Sequence, residues 1–370
     1  MSMTSPHGNA LQVHQLEVRY GTQVAVHSVS LRVDHAQIGC LLGPSGCGKS
    51  TLLRTIAGLE KPTQGEVTLG DRVLTSDSVS IATEDRHIGM VFQDIALFPH
   101  LTVAQNIAFG LKKLSREEKQ ARVTYLLDLV GLPSMENRFP NSLSGGQQQR
   151  IALARALAPK PKILLMDEPF SGLDATLKET LVPEIRRILV KEQITALVVT
   201  HDQMEAFALA DKVSVMNQGV IEQSDSPYVI YHQPATRFVA DFIGQGYFLP
   251  ATVLNENQIN TDLGVLDLPK ATRYPAETEV DVLLRPDDVL HDDDSDYQGM
   301  IVGKQFKGTY FQYQVTLSNG RSLMCIASSH HNHSVGQLIG IRLDLNHIVL
   351  FNGKHPSPES SPAITKNQRW

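Results

Sequence analysis

"IGCLLGPSGCGKST", residues 38–51, decides the fold. Its opening, "IGCLLG" (38–43), is a short apolar run, as expected of a strand buried on both faces. The remainder, "GPSGCGKST" (43–51), fits G-x-x-x-x-G-K-[ST], the phosphate-binding loop that follows a strand and opens a helix. Gly43, Gly46 and Gly48 let backbone N–H groups curl around phosphates, and the next helix adds its positive N-terminal end. Pro44, Ser45, Cys47 and Thr51 complete the loop. Lys49 is expected to reach the β and γ phosphates of ATP, and the Ser50 hydroxyl to sit on Mg²⁺. A chance glycine-rich turn does not explain strand, loop and helix in that order.

Further along, "KILLMDEP" (162–169) and "TALVVTHD" (195–202) repeat the apolar run. Helical segments intervene, which predicts a parallel α/β sheet. The first run ends in Asp167, where a carboxylate can hold Mg²⁺, usually through water. Glu168, one residue on, is placed to act as general base on the attacking water. His201 ends the second run; on its own, a strand-end histidine is more often structural than catalytic. Residues 104–132 show helical spacing and few strand formers, predicting a mainly helical insert over about 94–158.

A second glycine pair stands in "LSGGQQQR" (143–150). "QQQRIALARALA" reads as a helix ended by Pro159 and Pro161, with a Ser-Gly-Gly loop at its N-terminus. That is a second anion site by the helix dipole. A plain glycine cap would explain neither Ser144 nor the pairing of Gly145 with Gly146.

Near residue 245 the texture changes to short alternating strands with turn signals. Apolar and polar residues alternate from Phe311 to Leu317, and Asn319-Gly320 is a hairpin signal. A small antiparallel, OB-like β barrel or sandwich is expected over 245–354, after an ATPase domain over 11–244. The proline- and serine-rich tail, 355–370, is expected to be disordered.

Bulk properties narrow the function. The 370 residues are 42% hydrophobic and 19% charged with a net charge of −6, and no run of five or six like charges occurs, so no nucleic-acid partner is favoured. Cys40, Cys47 and Cys325 are too scattered for a disulfide framework or a zinc site, which fits a reducing cytoplasm. "MSMTSPHGNA" lacks the apolar core of a signal peptide. No stretch approaches the ~20 apolar residues of a membrane-spanning helix. Cys47 lies near Lys49, so its thiolate is expected to be somewhat favoured, without a catalytic role. His330, His331 and His333 in "SSHHNHSVG" read as a solvated loop rather than a metal site.

Together these residues resemble the ATP-binding subunit of an ATP-binding-cassette (ABC) transporter, nearly continuously over residues 11 to about 240. "LSGGQQQR" matches the family signature, Gln93 in "VFQD" the Q-loop, and "SGLD" (171–174) with Asp174 the D-loop. His201 matches the switch histidine, and Tyr20 in "LEVRYGTQVAV" the aromatic that stacks on adenine. "LLRPDD" (283–288) resembles the accessory β domain of import-type subunits. Gly172 replaces the alanine usual in importers, and "HAQIG" replaces a Gly-Glu at a surface turn; neither removes chemistry.

The resemblance implies a homodimer that clamps two Mg-ATP head to tail. Leu143, Ser144, Gly145, Gly146 and Gln147 of one chain would cap the ATP of the other. Gln93 would bind Mg²⁺ or the water and report loss of the γ-phosphate. It also implies two transmembrane permease subunits at the cytoplasmic face of a bacterial inner membrane, served indirectly by a periplasmic or extracellular solute-binding protein. The junction "FVADFIGQGYFLPATVL" (238–254) is most similar to ferric-iron (Fe³⁺) import subunits; sugar, polyamine, sulfate and phosphonate remain open. DNA-repair and chromosome ATPases share the nucleotide site but insert coiled coils or zinc modules. Translation-associated relatives pair two ATPase domains in one chain.

Overall fold

The computed structural model describes residues 9–345 and 347–353; the tail expected to be disordered lies outside them. The chain divides between Ile230 and Tyr231 into two compact units.

The first unit is built on a six-stranded sheet in the order Val220–Asp225, Lys212–Asn217, Ile38–Leu42, Ala196–Thr200, Ile163–Asp167, Ile88–Val91. All neighbours are parallel except the first pair, an antiparallel hairpin. The three apolar runs are adjacent strands, and every residue in them is buried. Their side chains alternate between two cores. Leu164, Met166, Ala196 and Val198 face a helical layer, while Ile163, Leu165, Leu197 and Val199 face a second sheet. A strand covered on both sides has no polar face to show, hence the unbroken apolar runs. The second sheet is antiparallel, in the order Gln23–Asp34, Asn9–Tyr20, Gln64–Leu69, Arg72–Thr75. Leu52, Leu53 and Ile56 of the helix Lys49–Ala57 pack into the core beneath it. Burying each such side chain is worth roughly 1.5–3 kcal/mol.

The helical insert comprises Val103–Ala108, Arg116–Leu129 and Gly145–Leu157. Each helix opens on a reciprocal capping box: Thr102 with Gln105, Ser115 with Glu118, and Ser144 with Gln147. These boxes satisfy N–H groups that the first turn leaves open. Val123, Leu126 and Leu127 then join Ile107, Ile151 and Leu153 in one buried cluster.

The second unit is all-β between Tyr247 and Asn352 apart from one short 3₁₀ turn. It holds a five-stranded sheet and a closed barrel of Val289–His291, Ser322–Ser328, Tyr310–Leu317, Gln298–Phe306 and Leu338–Leu343. The hairpin forms where Asn319-Gly320 signals it, with Gly320 at φ 81° and Thr316 paired to Ser322. Phe311, Tyr313, Val315 and Leu317 point into the barrel core, which explains the period-two alternation. Arg285 of "LLRPDD" is buried and donates to the carbonyls of Tyr231, Ala240 and Gln245. Its charge is thereby compensated by backbone oxygens. Among the described residues no helix is long and apolar enough to cross a membrane.

Candidate functional site

A cavity of about 620 Å³ opens in the first unit where the glycine-rich loop leaves its strand. Tyr20, Ser45, Gly46, Gly48, Lys49, Ser50, Thr51 and Glu168 line it. Gly46 at φ 80° and Gly48 at φ 103° occupy left-handed backbone that side chains rarely tolerate. Space is also short: a Cβ on Gly48 would stand 2.3 Å from the Ala25 carbonyl oxygen, and one on Gly43 2.1 Å from that of Met216. Bare backbone is thus a packing requirement as well as a phosphate-binding one.

Lys49 is 5% exposed, and its ammonium donates to the Gly43 and Pro44 carbonyls at 2.8 Å each. The loop folds around its own cation, so an incoming phosphate meets a fixed positive charge. Ser50 Oγ donates to Asp167 Oδ1 at 2.8 Å, with Arg54 Nη2 3.9 Å from the other carboxylate oxygen. A hydroxyl and a buried carboxylate side by side are the hard oxygen donors that suit Mg²⁺.

Glu168 adopts φ 43°, left-handed backbone for a residue with a side chain. Such a conformation costs about 1–3 kcal/mol and is held by its surroundings. Here the Glu168 N–H donates to Val199 O at 2.9 Å, and Ser171 N–H donates to Glu168 O. The twist separates two consecutive acids: Asp167 points at Ser50, whereas Glu168 reaches the cavity. Its Oε2 lies 3.2 Å from Nδ1 of His201, which is half-exposed. Thr200, just before that histidine, donates to Glu205 at 2.6 Å, and Lys178 pairs with the same carboxylate at 2.7 Å. The strand end carrying His201 is therefore anchored.

Cys47 corrects an expectation. Burial pushes its thiol up, and the nearby Lys49 ammonium, 3.8 Å from Sγ, only partly opposes this. The neutral thiol is favoured, because desolvation of a thiolate outweighs one neighbouring charge that two carbonyls already share.

The other motif residues lie outside the lining of this cavity. Gln93 is exposed, just past the strand Ile88–Val91. Asp174 caps the helix Ala175–Lys191, accepting from Leu177 N–H at 3.0 Å. Ser144 and Gly145 are exposed at the start of their helix, Leu143 is buried beside them, and Gln147 accepts from Ser144 N–H at 3.0 Å. Gly146 is buried, and a Cβ there would come within 3.0 Å of Leu177.

One wall was not foreseen. Gln23, Val24, Ala25 and His27 come from the antiparallel sheet, and Gln218 and Gly219 from the hairpin at the parallel sheet's edge. Gly219 N–H donates to Cys47 O at 3.0 Å and His27 N–H to Gly219 O at 2.8 Å, tying three distant segments together. Only the turn glycine Gly219 carries any local signal.

Comparison with known proteins agrees with this geometry. The ABC transporter family profile matches residues 26–171, and the TOBE domain profile matches residues 282–351. The Fe(3+) ions import ATP-binding protein FbpC of Escherichia coli O157:H7 is 41% identical over 311 residues, covering 84% of this chain and 87% of that protein. The chain belongs to the ATP-binding subunits of ABC transporters. Within that family it is an importer subunit, since its relatives are import proteins of more than one kind. Sulfate/thiosulfate import ATP-binding protein CysA 2 of Chromobacterium violaceum is 47% identical over 281 residues, covering 76% of this ABC subunit and 75% of that protein. The MJ0796 ABC transporter cassette, solved as a dimer, superposes with a TM-score of 0.51 at 33% identity, over 59% of this chain and 98% of its own. The same cassette has also been solved with ADP and Pi. The family fold and the cavity agree: this ABC subunit binds ATP.

Proposed function

We propose that this ABC subunit hydrolyses ATP to drive import of ferric iron, working as a homodimer beneath two permease subunits at the cytoplasmic face of a bacterial inner membrane. A solute-binding protein outside that membrane would deliver the cargo to the permeases. The observation that carries the choice of solute is coverage. Similarity to the ferric-iron protein runs across 84% of the chain, against 76% for the sulfate protein. The junction sequence 238–254 points the same way. Sulfate is the second reading, favoured by the higher identity of 47% over the shorter span.

Within each chain, Lys49 exchanges its two loop carbonyls for the β and γ phosphates, and the Gly46 and Gly48 segment supplies backbone N–H groups. Tyr20, 49% exposed at the cavity rim, offers a face to adenine. Ser50, Asp167 and Gln93 would hold Mg²⁺, which neutralises charge on the phosphate oxygens when bound. Glu168 takes the proton from the attacking water, and His201 at 3.2 Å orients that carboxylate. The signature residues Leu143 to Gln147 and Asp174 lie outside this cavity; in the dimer they would act on the partner's nucleotide. Support for that dimer comes from the MJ0796 cassette, whose solved form is dimeric. Closure on ATP and reopening after hydrolysis would then shift the permeases between two states.

The decisive experiment is uptake of radiolabelled iron and of radiolabelled sulfate in a strain lacking this gene. Restoration of iron uptake by the wild type, but not by Glu168→Gln, is expected, with sulfate uptake unchanged. Restoration of sulfate uptake alone would transfer the proposal to the second reading.

A further inference from the structure

The histidine-rich stretch "SSHHNHSVG" does not act alone. Its His331 and His333 converge with His291, the last residue of the strand Val289–His291 in the barrel, some forty positions earlier in the chain. One ligand atom from each lies within 4.8 Å of the others. The rings of His331 and His333 stand 4.6 and 4.7 Å from that of His291, centroid to centroid. His330, which the sequence groups with them, is not part of the cluster.

Two features distinguish this from a solvated loop. First, the nitrogens are short of partners. Nε2 of His333 is buried without a hydrogen bond. Nε2 of His291, on a side chain only 4% exposed, has just the Asp293 carboxylate 3.0 Å away in poor hydrogen-bond alignment. A buried polar atom left unpaired is costly, and a bound cation would recover that cost. Second, the loop is held in place by groups other than the histidines. The buried Tyr313 hydroxyl donates to His331 O at 2.6 Å and accepts from His333 N–H at 2.9 Å, while Lys304 donates to His333 O at 2.7 Å.

We propose that His291, His331 and His333 form a binding site for a divalent transition-metal ion of the Zn²⁺ class in the β unit. Three imidazole nitrogens select borderline metals such as Zn²⁺, Ni²⁺ or Co²⁺ over Mg²⁺, which prefers oxygen. Ligand nitrogens on a tetrahedral Zn²⁺ lie ~3.4 Å apart, given Zn–N bonds of about 2.0–2.1 Å. The exposed His331 ring turns inward to close that difference. Asp293, on the acidic segment "HDDDSD" (291–296), is placed to be the fourth ligand or to orient His291. The site is independent of the ATP cavity and of which solute is imported.

Titration of the full chain with Zn²⁺ against a chromophoric chelator, in excess Mg²⁺, tests it, with Co²⁺ absorption as the second readout. Expected is one Zn²⁺ per chain and a Co²⁺ spectrum of low coordination number. His331→Ala and His333→Ala should each weaken affinity by at least ~10-fold, by analogy with the losses seen at supporting residues of metal sites. His330→Ala should leave it unchanged. His331 is exposed, so its variant keeps the test valid should His291→Ala fail to fold. Absence of Zn²⁺ binding, or binding that His331→Ala and His333→Ala leave untouched, overturns the site.

Discussion

The two glycine loops of this chain look alike in sequence and differ in what their glycines are for. In the phosphate loop, Gly46 and Gly48 sit at φ 80° and 103°, and the chain wraps a buried lysine. In the signature, Ser144 is an extended N-cap at φ −66°, ψ 161°, and both glycines are already in the helix. The first loop needs glycine for left-handed backbone as well as for clearance; the second, being helical, needs it for clearance alone. Gly146 clears Leu177 within the chain, while Gly145 next to the exposed Ser144 keeps the capped helix N-terminus open to solvent. A loop closed on itself binds what enters its own cavity, whereas an outward-facing helix end requires something brought to it. In the proposed dimer, that is the partner's nucleotide.

The sharpest way to break this contrast is Glu168→Gln, which keeps the hydrogen-bonding shape but cannot take a proton. ATPase turnover should fall by ~10²–10⁴-fold, the usual contribution of a general base. Light scattering should at the same time show an ATP-dependent dimer; a monomer at saturating ATP would falsify the shared-site proposal. Next in size is a pair of glycine substitutions. Gly48→Ala places a Cβ 2.3 Å from Ala25 O in left-handed backbone, so ~3 kcal/mol of stability and most ATP affinity should be lost. Gly145→Ala meets only Leu173 at 3.3 Å, in a helix where alanine is favoured by ~0.5–1 kcal/mol. Its thermal midpoint should hold or rise while turnover drops, and unchanged turnover would show that the outward helix end has no partner. The smallest effect concerns Cys47. Because burial raises its thiol, the pH profile of its alkylation should have a midpoint above that of a free cysteine, with ATP slowing the reaction. A midpoint at or below the free value would reinstate the thiolate expected from Lys49 alone.

The strand, loop and helix around Lys49 were legible because the relevant forces are local or periodic. A strand sandwiched between two cores must be apolar throughout, and a backbone curled on phosphate must be glycine-rich. Asp167 and Glu168 were legible for the same reason, standing where a buried strand ends. The wall made by Ala25, His27, Gln218 and Gly219 was not, because backbone hydrogen bonds between distant segments leave no mark on side-chain pattern. Cys47 was misread because charge proximity can be seen in sequence whereas desolvation depends on everything packed around it.

The sequence by itself determined the nucleotide-binding scaffold, the β-rich second unit and the family, since periodicity and short motifs encode them directly. Only the tertiary structure decided that consecutive acids point to different places, through the left-handed turn at Glu168. It alone brought His291 to His331 and His333, where the strand-end position and the Tyr313 hydroxyl set the geometry. Both outcomes depend on contacts between residues far apart in the chain, which local pattern cannot specify.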